Sequence, residues 1–362
     1  MILVSIVIPV HNNTVEILDT LNSVLSQCIE EIELIIVDDG STDGTLKVIR
    51  DYTKNSCFYR AKIILISQKH LGVSVARNKG LSVATGDYLV FFDSDDKMEH
   101  GFLRKMYDEA IYTSAEVVMC GYYLSDENGE IIRSDKRKYS YFGKTMSGRE
   151  ACLLFLKDKL PMCTGNTLYK INFLRKYNVL YQNGATHGED QEFGIKSLYL
   201  ANKVVFIKEE LVNYVQRKES ATHSINLLQF NYIGSMLRVK KFFEDQKAPT
   251  AYIDKMDYIK IPQSYLDTIT ALCANGLSII TVYRLFRNKF IINKILNLHP
   301  MTSKAKLKYI LFRLSPILYL LLIKIRSYIR VKTKLCGKGK KPEKRRILRL
   351  ENGRHDQKED TP

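Results

Sequence analysis

Three groups of carboxylates stand out in this chain. Asp38 and Asp39 close the run IIVDDGS, Asp93, Asp95 and Asp96 close VFFDSDD, and Glu189 and Asp190 sit inside GATHGEDQEFG. Acids this close repel one another, so water, a cation or a raised pKa must offset them. The first two groups each follow an apolar run. In an open α/β sheet, ligands bind beyond the carboxyl ends of the strands, near the point where strand order reverses. Acids at that edge converge on one crevice, and such a cluster suits Mg²⁺ or Mn²⁺, hard ions that take oxygen ligands and bridge to phosphates. Just ahead of the second group, Gly72 opens a stretch that leads to Arg77. A glycine-opened helix offers free N–H groups to anions, and an arginine can grip a phosphate or carboxylate with two donors. Taken with the acids, this suggests a nucleotide diphosphate and its metal. In the third group, Gly184 and Gly188 flank a loop, and an acid facing the crevice there could act as a general base. Each group also has a plainer reading. Asp, Ser and Gly make ordinary turns after strands, and acids are favoured at helix starts by the dipole.

The elements that must position these residues are readable from periodicity. VSIVIPV (4–10), IELIIVDD (32–39), KIILIS (62–67), DYLVFFD (87–93) and AEVVMC (115–120) read as strands. Between the first two, apolar positions 15, 17, 18, 21, 24, 25 and 28 keep helical spacing. Asp43, or alternatively Ser41, caps a second helix, and residues 72–86 form a third. Strands apolar throughout, separated by single helices, imply an α/β fold with a mostly parallel sheet covered on both faces. Beyond residue 121, DENG (126–129) reads as a hairpin turn and the stretch to about 145 as a loop. Helices are expected at 147–158 and 189–201, a strand at 203–209, and only amphipathic helices over 225–300. Asp96 is expected either as a third metal ligand or as the cap of the helix after it.

Composition bounds the rest. The chain has 362 residues, 45% of them hydrophobic and 26% charged, which suits a globular protein of two domains or one domain with an appendage. Its seven cysteines are scattered, without a C-x-x-C pair, and read as free thiols in a reducing compartment. The N-terminus lacks a basic region and a cleavage site, and reads as a strand rather than a signal peptide. The net charge of +16 is concentrated: residues 301–350 hold 16 Lys and Arg against the single Glu343. The body is close to neutral, so nucleic acid is not an expected partner. In LFRLSPILYLLLIKIRSYIRVKTK (311–334) only residues 314–323 are free of charge. As a helix these span about 15 Å, half of a hydrocarbon core. The segment either packs on the body or lies on an anionic membrane surface, and its charge favours the surface.

With these segments in order, the chain resembles the family 2 inverting glycosyltransferases of the GT-A fold, of the type that builds bacterial cell-surface polysaccharides. The matching stretches are VSIVIPVHN (4–12), ELIIVDDGSTDGT (33–45), GVSVARNKGLSVATGDYLVFFDSDD (72–96) and GEDQEF (188–193). The resemblance implies a nucleotide-sugar donor, usually a UDP-sugar, a Mg²⁺ or Mn²⁺ ion, and transfer with inversion to a glycan or lipid-linked acceptor. It assigns Pro9, Val10 and His11 to the nucleobase pocket and Asp39 to the base's N–H. Arg77 would meet the donor near its diphosphate, Asp93 the ribose or sugar, and Asp95 the metal. Asp190 would be the catalytic base. Arg217, Ser220 and His223 fall in NYVQRKESATHS (213–224), which resembles the segment that closes over the diphosphate, with His223 also a metal ligand. His11 stands where Tyr is frequent, and His70 where Asn often precedes the glycine. The resemblance covers a GT-A domain over 1–220; periodicity, charge and composition add a helical region over 221–300, a basic membrane-surface segment over 301–335 and a disordered tail over 336–362. The implied location is the cytoplasm, peripheral at the inner face of the membrane. Two other classes share part of the pattern: a nucleotidyltransferase, which has no need of the Asp190 base, and a silent sugar-nucleotide or membrane-surface binder.

Overall fold

The computed structural model describes residues 2–27, 29, 31–55, 61–134, 145–217, 229–297, 299 and 303–336. The chain opens as the expected alternation: β1 (Val4–Val10), α1 (Glu16–Leu25), β2 (Ile32–Asp38), α2 (Thr45–Asn55), β3 (Ala61–Ser67), α3 (Val73–Val83) and β4 (Tyr88–Phe91). Next come β5 (Lys97–Met98), α4 (Phe102–Thr113), β6 (Val117–Ser125) and β7 (Ile131–Ser134). β6 and β7 pair antiparallel around the 126–129 turn, where Gly129 takes φ 82°. Then follow β8 (Thr145–Ser147), α5 (Gly148–Leu156), β9 (Thr167–Lys170), α6 (Ile171–Lys176), α7 (Glu189–Leu200) and β10 (Lys203–Val215). The rest is helical: α8 (Phe230–Asp245), α9 (Thr250–Lys255), α10 (Ile261–Ala274), α11 (Ile279–Phe286), α12 (Lys289–Leu296), α13 (Ser303–Leu314) and α14 (Pro316–Cys336). The expected loop over 135–144 lies outside the described residues, as does the tail from 337.

The strands form one sheet in the order β3-β2-β1-β4-β9-β6-β10-β5, with β7 and β8 paired to β6 and β10. β1, β2, β3 and β4 run parallel, while β9 is antiparallel to both β4 and β6. From β1 the chain builds outward on one side through β2 and β3, then crosses to place β4 on the other side. The strand order reverses there, and the crevice for a ligand opens between the ends of β1 and β4. β9 was not foreseen: TLYK is too short to show a period, and only pairing with two neighbours makes it a strand.

Side-chain alternation assigns each face. Val4, Ile6, Ile8 and Val10 of β1 join Ile17 and Leu21 of α1 and Phe102 and Met106 of α4 in one core. Val7 points to the opposite core, with Ala76 and Leu81 of α3, Phe193 of α7 and Met236 of α8. Both layers are fully buried, and each large side chain so removed from water contributes about 1.5–3 kcal/mol. A third core, with Ile269, Val282, Phe312 and Leu320, lies within the C-terminal helices.

α3 approaches β1 unusually closely because residue 80 is glycine: a Cβ there would meet Val7 Cγ1 at 2.2 Å. Gly80→Ala should therefore lower stability by about 1–3 kcal/mol through overpacking. Thermal unfolding would check this, and an unchanged Tm would show that the contact relaxes freely.

Candidate active site

One cavity of about 970 Å³ lies at the carboxyl ends of β1 and β4. Pro9, Val10, His11, Asp39, Arg77, Asp93, Asp95, Asp190 and Arg217 all line it. Residues brought from widely separated segments thus share one crevice. Ser220 and His223 lie outside the described residues.

The loop after β1 is tied down on both sides. Asn13 Oδ1 accepts the N–H groups of Glu16 and Ile17 at the start of α1, and Asn13 Nδ2 donates to the carbonyl of Ser94 at 3.0 Å. Its own N–H donates to Thr45 Oγ1 at 2.8 Å, while Thr45 is capped by Asp43, whose Oδ1 accepts the Thr45 N–H. The strand-end loops of β1, β2 and β4 therefore form one connected rim.

Asp39 is 3% exposed. Its Oδ1 accepts from Gln68 Nε2 at 2.7 Å and the Leu71 N–H at 2.9 Å, and its Oδ2 accepts from the Gly72 N–H at 2.8 Å. His70 Nδ1 lies 2.9 Å from Oδ2. Burial alone would push this carboxyl up, but the hydrogen bonds outweigh it and hold the group below the usual range. The His70 ring stacks on His11, centroids 4.1 Å apart and planes 27° apart. These are the two histidines that depart from the family's usual residues, and they meet each other. The exposed His70 side chain lies against Asp39 on the wall of the cavity.

Arg77 is the buried centre of the cluster, 4% exposed. It donates to Asp93 Oδ1 at 2.7 Å and to Glu189 Oε1 at 3.1 Å, and its guanidinium lies over the Tyr181 ring at 4.9 Å. Burial opposes the charge, but Asp93, Tyr181 and Glu189 together keep it protonated. Its Nε has no partner among the described residues. Two of its nitrogens are thus committed to positioning Asp93 and α7. Glu189 was read as a helix-start acid, and its link to Arg77, 112 residues away, carries no sequence signal.

Among the described residues, no cation pairs directly with the Asp95 carboxylate, and Arg217 bonds its backbone carbonyl instead. Burial pushes its carboxyl up to about 6, repulsion from Asp93 adds to this, and Arg217 opposes it. Arg217 donates to the Asp95 carbonyl at 3.2 Å and pairs with Glu16 at 3.0 Å. An oxygen donor facing the cavity with its charge poorly neutralised is of the type that a hard divalent ion would take. Among the described residues, no three His, Cys, Asp or Glu side chains are grouped to hold an ion by themselves. Asp96 corrects the earlier expectation. It does not cap the next helix, whose N-cap is Gly101. Instead it is 2% exposed and accepts the Val215 N–H at 3.0 Å, fastening the end of β10 under the cavity.

Asp190 lies in the first turn of α7, after Gly188 in the left-handed region at φ 75°. Burial pushes its carboxyl up to about 6, with repulsion from Glu189 adding and the Gln191 N–H opposing. α8 braces this turn from behind: Arg238 grips Glu192 at 2.7 and 2.9 Å, and Ser235 Oγ donates to the His187 carbonyl.

The chain is similar to known proteins. Residues 5–177 match the family described as Glycosyl transferase family 2. Among curated relatives, glycosyltransferase EpsJ of Bacillus subtilis is 28% identical over 232 residues, 61% of this chain and 63% of EpsJ. The poly(ribitol-phosphate) beta-glucosyltransferase of Bacillus spizizenii is 27% identical over 245 residues, 64% of this chain and 35% of that protein. The chain thus spans less than two thirds of either relative. Among solved structures, Staphylococcus aureus TarS 1-349 in complex with UDP-GlcNAc superposes with a TM-score of 0.60, covering 93% of this chain and 92% of that one. At 18% identity this likeness establishes a shared fold.

Asp96 generates a stability prediction. Burial first, then Asp95 and Asp93, hold its carboxyl well above the usual range. An acid whose pKa is raised on folding favours the folded state at low pH, and that contribution is lost as pH rises above the unfolded value. Asp96→Asn keeps an acceptor for Val215 and removes the charge, so it should raise Tm at pH 8 and change it little at pH 4. Asp96→Ala strands the Val215 N–H and should lower stability by about 1–3 kcal/mol at both. Calorimetry at the two pH values checks both outcomes.

Proposed function

We propose that the chain, whose residues 5–177 match the family described as Glycosyl transferase family 2, moves a sugar from a UDP-sugar to a hydroxyl of a glycan or lipid-linked acceptor, with inversion at the anomeric carbon. One observation carries the reading. The cavity sets the Asp93–Asp95 pair and the separate carboxylate Asp190 around one space, with Arg77 between Asp93 and α7.

The division of labour follows from the chemistry. Direct displacement at an anomeric carbon needs a leaving diphosphate on one side and an activated hydroxyl on the other. Pro9, Val10 and His11 would face the nucleobase, with Asp39 accepting its N–H once His70 swings aside. Asp93, oriented by Arg77, would take the ribose or sugar hydroxyls, and Arg217 would close toward the diphosphate. Asp95 would hold a Mg²⁺ or Mn²⁺ ion, with His223 the second expected ligand, and the bound ion would neutralise charge on the departing diphosphate. Asp190 would accept the proton of the acceptor hydroxyl as its oxygen bonds to the anomeric carbon and the bond to the diphosphate breaks. A carboxylate at its ordinary pKa is a feeble base near neutrality, and one raised to about 6 suits this transfer better while still ionised at pH 7. The UDP-GlcNAc held by TarS and the polymer acceptor named for the Bacillus spizizenii enzyme support this donor and acceptor class.

Release of nucleoside diphosphate from a panel of UDP-, GDP- and dTDP-sugars should single out one UDP-sugar and be suppressed by EDTA. Asp190→Asn should reduce transfer by at least about 10³-fold while leaving donor affinity within a few-fold. In the wild type, kcat/KM should rise with pH through an apparent pKa near 6, because the base works only when deprotonated. Wild-type transfer by Asp190→Asn would remove it as the base.

A further inference from the structure

The helices α13 and α14 are fastened to the body on one face and bare on the other. On the inner face, Phe312, Tyr319 and Leu320 are buried in the C-terminal core. Tyr319 Oη bonds Thr270 Oγ1, Ser327 Oγ donates to the Ala274 carbonyl at 2.9 Å, and Lys308 pairs with Asp267 at 2.6 Å. The basic segment is therefore a built part of the C-terminal helices at least as far as Ser327.

The outer face is apolar. In α14, Ile317, Leu318, Leu321, Leu322, Ile325, Tyr328 and Ile329 are all exposed, Tyr328 to 68%. At about 100° per residue these positions fill one arc of about 140°, and from 317 to 329 they run about 18 Å. Lys324 falls beside one edge of that arc and Arg326 beside the other. α13 also exposes apolar side chains, Leu307, Ile310 and Leu314, to 59%, 50% and 73%. An exposed apolar arc on one helix, rimmed by charged residues, marks an interaction surface. No helix among the described residues is long and apolar enough to cross a membrane.

We propose that this face docks on an anionic lipid bilayer, with α14 lying in the plane of the surface, its apolar arc among the acyl chains and its flanking cations at the headgroups. Charge selects this occupant. Residues 301–350 carry 16 basic side chains against one acid, so two copies meeting face to face would bring like charges together, whereas an anionic surface attracts them. The arrangement matches that of interfacial helices, with an apolar stripe bounded by Lys and Arg that reach back to the polar layer. α14 packs on α10 and α10 on α8, the helix that braces the turn bearing Asp190. This inference stands on the helix surface alone and does not depend on the reaction run in the cavity.

The test uses the full chain and vesicles of phosphatidylcholine, alone or mixed with phosphatidylglycerol. Wild type should co-sediment with the mixed vesicles and far less with phosphatidylcholine alone, and should keep part of its binding in high salt. Leu321→Ser/Ile325→Ser changes only the outer face; it should retain the wild-type Tm and lose at least about tenfold in vesicle affinity. Lys324→Glu/Arg326→Glu should remove the preference for phosphatidylglycerol. Undiminished binding by the serine variant, or binding abolished outright by salt, would reduce the segment to a purely electrostatic tether and overturn the proposal. So would a wild type that ignores vesicles and forms a dimer that the serine variant dissolves, since the face would then join two copies of the chain.

Discussion

The crevice depends on one buried guanidinium. Arg77 leaves α3, crosses to the end of β4 and to the first turn of α7, and bonds Asp93 and Glu189 at 2.7 and 3.1 Å. Burying a charge is costly unless it is paired and hydrogen-bonded, so the arginine and its two acids hold each other in one arrangement. The consequence reaches beyond the three residues. Asp93 is fixed by Arg77, which leaves Asp95 to face the cavity with little compensation. Glu189 is fixed by Arg77, which sets the rotation of the turn that carries Asp190. Removing only one member of such a cluster leaves the others buried and unpaired, which is more damaging than never having had it.

The sheet makes that arrangement possible. Crossing from β3 back past β1 to β4 brings the second acid cluster beside the end of the first strand, at the reversal of strand order. The close seat of α3 on Val7, which only glycine at 80 permits, places the guanidinium at the crevice floor. Phe91, Tyr181 and Phe193 pack edge-on and stacked beneath it, so the charged cluster rests on a rigid apolar base. α8 closes the frame from outside through Arg238 and Glu192. Asp93, Asp190 and the C-terminal helices are thereby linked through contiguous packing.

What was legible beforehand follows from range. The first four strands and three helices obey local periodicity, and the second and fourth strands end at the acids singled out. Every described residue assigned by resemblance lines one cavity, because motif order and strand context encode the crevice. The unread parts are contacts across large sequence separations. The Arg77–Glu189 pair, the Arg217–Glu16 pair and the meeting of His70 with His11 and Asp39 have no local signature. Asp96 looked like a ligand or a cap because both are local roles, and its partner proved to be a backbone N–H 119 residues away. β9 was missed because four residues carry no period. The basic segment was posed as packed or surface-seeking, and the helices show that one face packs while the other stays bare. A charge count cannot separate two faces of one helix, but burial position by position can.

The claim at the centre is direct displacement, with Asp190 on the side of the sugar opposite the diphosphate. The most direct measurement is proton NMR of the sugar freed when the enzyme slowly hydrolyses an α-configured UDP-sugar, recorded before mutarotation. Water standing in for the acceptor should yield the β-anomer first. Initial release of the α-anomer would mean two displacements or retention by another route, and would contradict the roles given to Asp190 and the Asp93–Asp95 pair.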